Sequence, residues 1–461
     1  MSAAAAMTFL ALLGLALPAA LLLLLGVPSM IGRRLPEKAV GLLTGLLTGL
    51  SSAAFAGALV TGVAGWVPTT VVALGDWFSA GDIAFAIDFL LDPVSLTFAL
   101  AAAGISGMVA AFSHRYLHRE EGYQRYFVLY AIFLTGMHLV VLAGSIEVLF
   151  AGWELIGISS ALLVGFFHDR PAPVRNAFRV LVIYRLSDAA MLAAAILVHH
   201  LQGESSLAIL FGLAAGDHGA PISTAEATAI GCLLLVAAAG KCAQLPFSGW
   251  LPRAMEGPTP SSAVYYGAVS VHAGAYLLLR AASILERSPL VCALLGLMGV
   301  STAIYATLAR RVQTDVKSSL AFASLTHVSM ILVEIALGLH RLAFVHLLGN
   351  ACLRLLQFLR APSVLHDFHE ARNAAGSRPA QSPERLRYLP DRVGLWIYRT
   401  SLERGYLEDV IDRLVVTPFL ILARAIDRFD RSVAGWCAGA RGGVVEPPSR
   451  AAAPRAEAPR G

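Results

Sequence analysis

The chain has 461 residues, of which 57% are hydrophobic and 14% charged, with a mean hydropathy of +0.68. Soluble domains carry about 25% charged residues, so this balance excludes a soluble enzyme and points to a polytopic membrane protein. The formal net charge of +5 reads as membrane topology, not as a nucleic-acid footprint.

Apolar runs approach the ~20 residues that a spanning helix needs, and the alternating segments of a membrane β-barrel are absent. The fold class is therefore all-α, a polytopic transmembrane helix bundle. Eleven spans follow along the chain, at 4–27, 39–64, 93–112, 126–143, 146–166, 177–198, 227–248, 261–280, 289–309, 318–338 and 342–359. The first run lacks the basic start of a secretion signal and is followed by Arg33, Arg34 and Lys38, which favours a retained span. Basic residues recur in the odd connections: Arg115, Arg119 and Arg125 in the third, Arg170 and Arg175 in the fifth, Arg253 in the seventh. Arg310, Arg311 and Lys317 fill the ninth. The second, fourth and sixth connections have none, and the eighth and tenth only Arg280, Arg287 and Arg341. By the positive-inside rule the N-terminus lies outside and the odd connections, with the C-terminus, in the cytoplasm.

After Arg360 the sequence turns polar. Residues 361–400 read as a cytoplasmic linker, 401–440 as an amphipathic helical segment interrupted at Pro418, and 441–461 as a disordered tail rich in Ala, Pro and Arg. This gives N-terminal transmembrane helices over 1–84 and a core over 85–360. The periodic apolar face of the 401–440 segment suits the membrane surface or a partner.

Cofactor chemistry finds no foothold. Cys232, Cys242, Cys292, Cys352 and Cys437 are isolated, without CxxC or CxxH spacing, so haem, iron–sulfur and zinc sites have no support. No GxGxxG after a strand, P-loop or GxSxG occurs. His199 and His200, like His114 and His118, fall at predicted loop positions and read as surface histidines. We expect no metal, no cofactor and no redox or hydrolytic centre in this chain.

The chemistry lies inside the spans. Lys241 sits in an otherwise apolar stretch, Ala227 to Phe247, with Pro246 five residues on. A charge at bilayer depth costs at least about 2.5–3.5 kcal/mol, and it marks an ion pathway with a partner nearby. A helix broken at Pro246 frees backbone groups that must be buried in protein or line a wet cavity. Glu154, in span five, has no basic partner in its own span, so Lys241 is the expected one. Arg185 and Asp188, at i and i+3 in span six, share a face and are expected to pair. His346, Asn350 and Arg354 form a polar stripe at i, i+4 and i+8 on span eleven. With His272 in span eight and His327 in span ten they suit a hydrated proton file.

These motifs carry a resemblance. They are Leu91-Asp-Pro-Val-Ser-Leu96, Arg119-Glu-Glu-Gly-Tyr-Gln-Arg-Tyr-Phe127, Gly152-Trp-Glu-Leu-Ile-Gly157, Tyr184-Arg-Leu-Ser-Asp188 and Gly240-Lys-Cys-Ala-Gln-Leu-Pro-Phe247. Trp250-Leu-Pro-Arg-Ala-Met-Glu-Gly-Pro-Thr-Pro260, Asp315-Val-Lys-Ser-Ser-Leu-Ala321 and the stripe ending at Arg354 complete the set. Over residues 85–360 the chain resembles the antiporter-like membrane subunits of complex I, specifically the L or chain 5 type, and their relatives in Mrp antiporters and membrane hydrogenases. The resemblance implies that Glu154 and Lys241 form the coupled pair of a proton half-channel. The family's histidine of span eight is Tyr266 here, with His272 nearby. The second histidine of the span-eleven stripe is Asn350, and the family's central lysine is Arg354, which keeps its charge and cannot carry a proton onward. The spans that follow in the family, with a second broken helix, have no match.

These departures make the chain most similar to the membrane subunit of two-component inorganic carbon uptake systems (DabB-type). That similarity implies a large cytoplasmic zinc-dependent, carbonic-anhydrase-like partner (DabA-type), the cell inner membrane, and proton movement through Glu154, Lys241, His272, His327 and His346. The alternatives are an L-type subunit of a complex I-like or hydrogenase assembly, and a non-conducting anchor. Protons are favoured over sodium because imidazoles and an amine are not the oxygen cluster a hard cation prefers.

Overall fold

The computed structural model describes residues 2–80, 83–202, 206–213, 222–375, 391–403 and 410–437. The chain divides into two compact units, Met1–Glu408 and Asp409–Gly461. In the first, eleven helical segments are long and apolar enough to cross a membrane, as the sequence predicts. They include α1 (Ala3–Met30), α2 (Glu37–Ala64), α3 (Pro93–Tyr116), α4 (Tyr123–Leu142), α5 (Ile146–Val164) and α6 (Pro171–Gln202). α7 (Thr224–Lys241), the segment Thr259–Arg280 that ends in α8 (Ser270–Arg280), α9 (Pro289–Arg311), α10 (Val316–Ala336) and α11 (His340–Ala375) follow.

Local sequence sets the helix ends. Asp92 and Ser95 form a reciprocal capping box at the start of α3, with Pro93 in the first turn where its missing N–H costs nothing. Ser223 and Glu226 do the same for α7, and the Asp315 carboxylate accepts from Ser318 N at the start of α10. Small residues set how closely helices approach. A Cβ on Gly152 of α5 would lie 2.6 Å from Gly136 O on α4, and one on Gly240 of α7 only 2.2 Å from Ser187 Oγ on α6. Backbones meet there, as interfaces between membrane helices require.

Three features depart from the sequence expectation. Two antiparallel strands, β1 (Thr70–Ala80) and β2 (Ile83–Leu91), stand between α2 and α3. They follow the large–small alternation of Phe85, Ile87 and Phe89 with Ala84, Ala86 and Asp88, a period-2 pattern too short to compete with the span signal. Gly144 N donates to Asp88 O at 2.8 Å and Ser145 Oγ to Ala86 O at 2.7 Å, which fixes this hairpin to the α4–α5 junction. Secondly, span eight is not one regular helix: Ser262–Ala268 is a π-helix, and α8 begins only at Ser270. Thirdly, α11 continues to Ala375, past Arg360 where a linker was expected, and a further helix, α12 (Asp391–Leu402), follows. Polar residues there are compatible with helix once the chain has left the apolar slab.

The second unit holds a π-turn at Asp412–Val416 and then α13 (Thr417–Cys437). Pro418 follows closely on that π-helical stretch, so the segment continues as helix through it. Leu422, Ile426, Phe429 and Val433 recur along α13 at helical spacing and are exposed. The tail from 441, the linker residues 376–390 and the Tyr266 side chain lie outside the described residues.

Candidate functional site

α5, α6 and α7 bring four charged side chains together. Lys241, the last residue of α7, is fully buried. Its Nζ lies 3.6 Å from Asp188 Oδ1 on α6, and the Tyr184 and Trp153 rings lie 4.2 and 5.3 Å away, centroid to ammonium, within cation–π range. Trp153 Nε1 donates to the same Asp188 Oδ1 at 2.8 Å, while Arg185 Nη2 donates to Asp188 Oδ2 at 2.9 Å. Arg185 Nη1 in turn pairs with Glu154 Oε2. Two bases and two carboxylates thus form one continuous, formally neutral network.

This corrects the expected pairing. Lys241 meets Asp188, not Glu154, and Glu154 is held by Arg185. The reason is the register of α6: Arg185 and Asp188, on one face, stand between α5 and α7 and divide the partners. Glu154 and Lys241 remain linked through them. Close packing allows it, since a Cβ on Gly157 would lie 2.7 Å from Lys241 Nζ and 3.4 Å from Arg185 Nη2.

Beyond Lys241 the chain leaves α-helix. Ala243 takes a left-handed φ of 53°, and Leu245 N is satisfied by Thr302 Oγ1 on α9 at 3.1 Å. Pro246 precedes the short turn Phe247–Gly249, and Trp250 Nε1 returns to cap Gly240 O at 2.9 Å. Gln244 in this stretch accepts from Ser329 Oγ of α10 at 2.9 Å, so the irregular segment spans from the α7 charge to the next cluster.

That second cluster lies among α8, α10 and α11. His346 Nδ1 donates to Glu334 Oε1 at 2.8 Å, and with His346 neutral its Nε2 then accepts from His327 Nδ1 at 3.0 Å. Asn350 Nδ2 donates to His272 Nε2 at 2.9 Å, and Arg354 Nε to Asn350 Oδ1 at 3.1 Å. His272, His327, His346 and Arg354 are therefore brought together, as the polar stripe suggests. Glu334 escaped notice although it is an acid inside a span, and Gln244 carried no signal beyond its place after Lys241. Lys241 Nζ and His272 Nδ1 are buried without a hydrogen-bond partner among the described residues.

The other histidines behave differently from one another. His118 is exposed and pairs with Glu37 at 2.7 Å. His114 lies in the last turn of α3, its Nδ1 2.5 Å from Tyr123 OH. His199 is no surface histidine: α6 runs to Gln202, and His199 is largely buried in its last turn against Glu147 of α5. Among the described residues no group of three metal-ligating side chains occurs.

Comparison with known proteins places the chain in a family. Residues 143–379 match the family described as NADH:quinone oxidoreductase/Mrp antiporter, transmembrane, and residues 77–127 match the N-terminus of complex I chain 5. NADH-ubiquinone oxidoreductase chain 5 of Schizophyllum commune is 34% identical over 65% of this chain and 43% of its own length. NADH-quinone oxidoreductase subunit L of Escherichia coli (strain K12) is 32% identical over 65% of this chain and 49% of its own. The chain thus spans about half the length of these curated relatives. A chain of the Mrp complex from Dietzia sp. DQ12-45-1b aligns with TM-score 0.64 and 25% identity, covering 87% of this chain and 43% of that one. A chain of the membrane-bound sulfane sulfur reductase, an archaeal respiratory membrane complex, shares the fold at TM-score 0.64 and 18% identity, covering 88% and 87%. Eleven apolar helices and a family match over more than half its residues make this multi-pass membrane protein a member of the NADH:quinone oxidoreductase/Mrp antiporter transmembrane family.

Proposed function

We infer that this chain is a proton-translocating membrane subunit of a multi-subunit assembly of the complex I or Mrp type. The observation that carries the inference is the fully buried Lys241 in a neutral network with Asp188, Arg185 and Glu154. Every proton added or removed there unbalances a desolvated cluster, so a proton on one member is felt by the others. His327, His346 and Glu334 extend donors and acceptors toward α11, and Arg354 supplies a fixed charge at its end. The chain has no redox or hydrolytic centre of its own in this reading, and spends or builds a gradient for its partners. One proton crossing about 100 mV transfers roughly 2.3 kcal/mol. The location that fits is the cell inner membrane, with the arginine-bearing connections in the cytoplasm.

Inorganic carbon uptake beside a carbonic-anhydrase-like partner is the second reading. Asn350 and Arg354 in place of a histidine and a lysine favour it, whereas the relatives named above are complex I and Mrp proteins. Proton uptake into vesicles bearing the native assembly tests the first reading, with Lys241→Ala and Glu154→Gln as variants. Both should reduce uptake by about 10²-fold or more, and wild-type rates in both would refute the assignment. Carbon accumulation by cells expressing the chain with its genomic neighbours, abolished by a protonophore, would favour the second reading over the first.

A further inference from the structure

At the hairpin end of the bundle, Glu147 in the first turn of α5 pairs with His199 in the last turn of α6. Both are largely buried, at 13% and 10% exposure of their side chains. Glu147 Oε2 and His199 Nδ1, the atoms not used in the pair, have no hydrogen-bond partner among the described residues. Two polar atoms left so are costly unless something visits them.

The pair is in register with the network below it. Glu147 precedes Glu154 by seven residues and His199 follows Asp188 by eleven. At 100° per residue each falls within about 20° of the same helix face, roughly 10 and 16 Å further along the axis. Beside the pair, in the α5–α6 seam, lies a groove of about 500 Å³ whose walls include Phe150, Ala151, Leu192, Ala195 and Ile196, open on the side where Ala151, Leu192 and Ile196 are exposed. Trp77, Phe85 and the pair itself border it at the hairpin end. Phe85 lies against the His199 ring at 5.5 Å between centroids. The other titratable groups around the pair are His200 on α6 and, on the hairpin, Asp76 and Asp88. The Asp88 carboxyl is held above the usual carboxylate range by its burial and by the charges of Asp76 and Glu147.

We propose that Glu147 and His199 form a protonatable station at the hairpin end, exchanging protons with the aqueous phase and, along the α5–α6 seam, with Glu154. A proton taken by one member is passed to the other or onward along the seam, so that each step moves a proton alone.

The proposal rests on the proton-translocating reading, and its test separates the two. Proton uptake is measured in vesicles bearing the native assembly with the full chain. Glu147→Gln and His199→Asn should each slow uptake by about 10²-fold or more, and Glu147→Asp, which keeps a carboxyl, should recover most of the rate. Infrared pH titration of the purified chain gives a readout independent of transport. A carboxyl C=O band should be missing in Glu147→Gln, and its midpoint should move in His199→Asn. If Glu154→Gln stops uptake while Glu147→Gln and His199→Asn conduct like wild type, the pair is only structural and the proposal is overturned, with the proton-translocating reading intact. If Glu154→Gln and Lys241→Ala also conduct like wild type, that reading falls and this station with it.

Discussion

Lys241 survives complete burial because its charge is balanced at short range by Asp188 and faced by two aromatic rings. Removing one member of a buried pair leaves the other uncompensated, at a cost of about 3–5 kcal/mol. Lys241→Met should therefore lower the thermal midpoint of the purified chain, and adding Asp188→Asn should restore much of that loss, since Glu154 and Arg185 then balance each other. Transport should stay lost in both. A double variant no more stable than Lys241→Met alone would contradict the pairing. At this scale the Arg185–Asp188 pairing was legible from its i, i+3 spacing, while the partners of Lys241 and Glu154 were not. Lys241, Glu154, Arg185 and Asp188 stand out because charge inside an apolar run is expensive. Which carboxylate faces which base depends on helix rotation, and no local pattern in α5 or α7 encodes that. Glu147 and His199 were missed for a related reason, since the α6 pattern continues past the last strongly apolar residue and carries His199 into the bundle.

Packing of whole helices puts the network where it is. α4 and α5 meet at Gly136 and Gly152, and the second of these directly precedes Trp153 and Glu154. Gly152→Ala would drive its Cβ to 2.6 Å from Gly136 O, and this overpacking should cost about 1–3 kcal/mol. It should also displace Glu154 from Arg185. The comparison is Gly104→Ala in α3, where no atom lies within 4 Å of the added Cβ. That change should be neutral or stabilising by roughly 0.5–1 kcal/mol. Thermal unfolding of the two purified variants checks both, and equal midpoints would mean that the α4–α5 contact is looser than described. Helix number and order were legible because about twenty apolar residues in a row admit little else. The β1–β2 hairpin was not, since its alternation spans fewer residues than the apolar runs around it. Nor was the π-helix at Ser262–Ala268.

The up-and-down course of the bundle gathers the connections at two ends. At one end the loop after α3 meets the start of α2, where Arg119 N donates to Glu37 Oε1 at 3.0 Å. The loop after α5 joins them, with Arg125 Nη2 donating to Phe166 O at 3.0 Å. Arg33, Arg34, Arg119 and Arg125 line one cavity there. At the other end the hairpin is bonded to the α4–α5 junction, and Leu207 N donates to Gly144 O at 2.8 Å. Arg33, Arg34, Arg119 and Arg125, which the sequence assigns to odd connections, thus share one end, and the positive-inside rule turns such a partition into an orientation. We expect the hairpin end to face outward. The check is accessibility to a membrane-impermeant maleimide in a background lacking the five native cysteines. Leu74→Cys, at an exposed position of β1, should label in intact cells. Arg33→Cys, in the exposed α1–α2 connection, should label only after the membrane is opened. The reverse pattern would invert the orientation, and with it the side on which Glu147 and His199 meet water, while leaving the Lys241 network at the same place in the bundle.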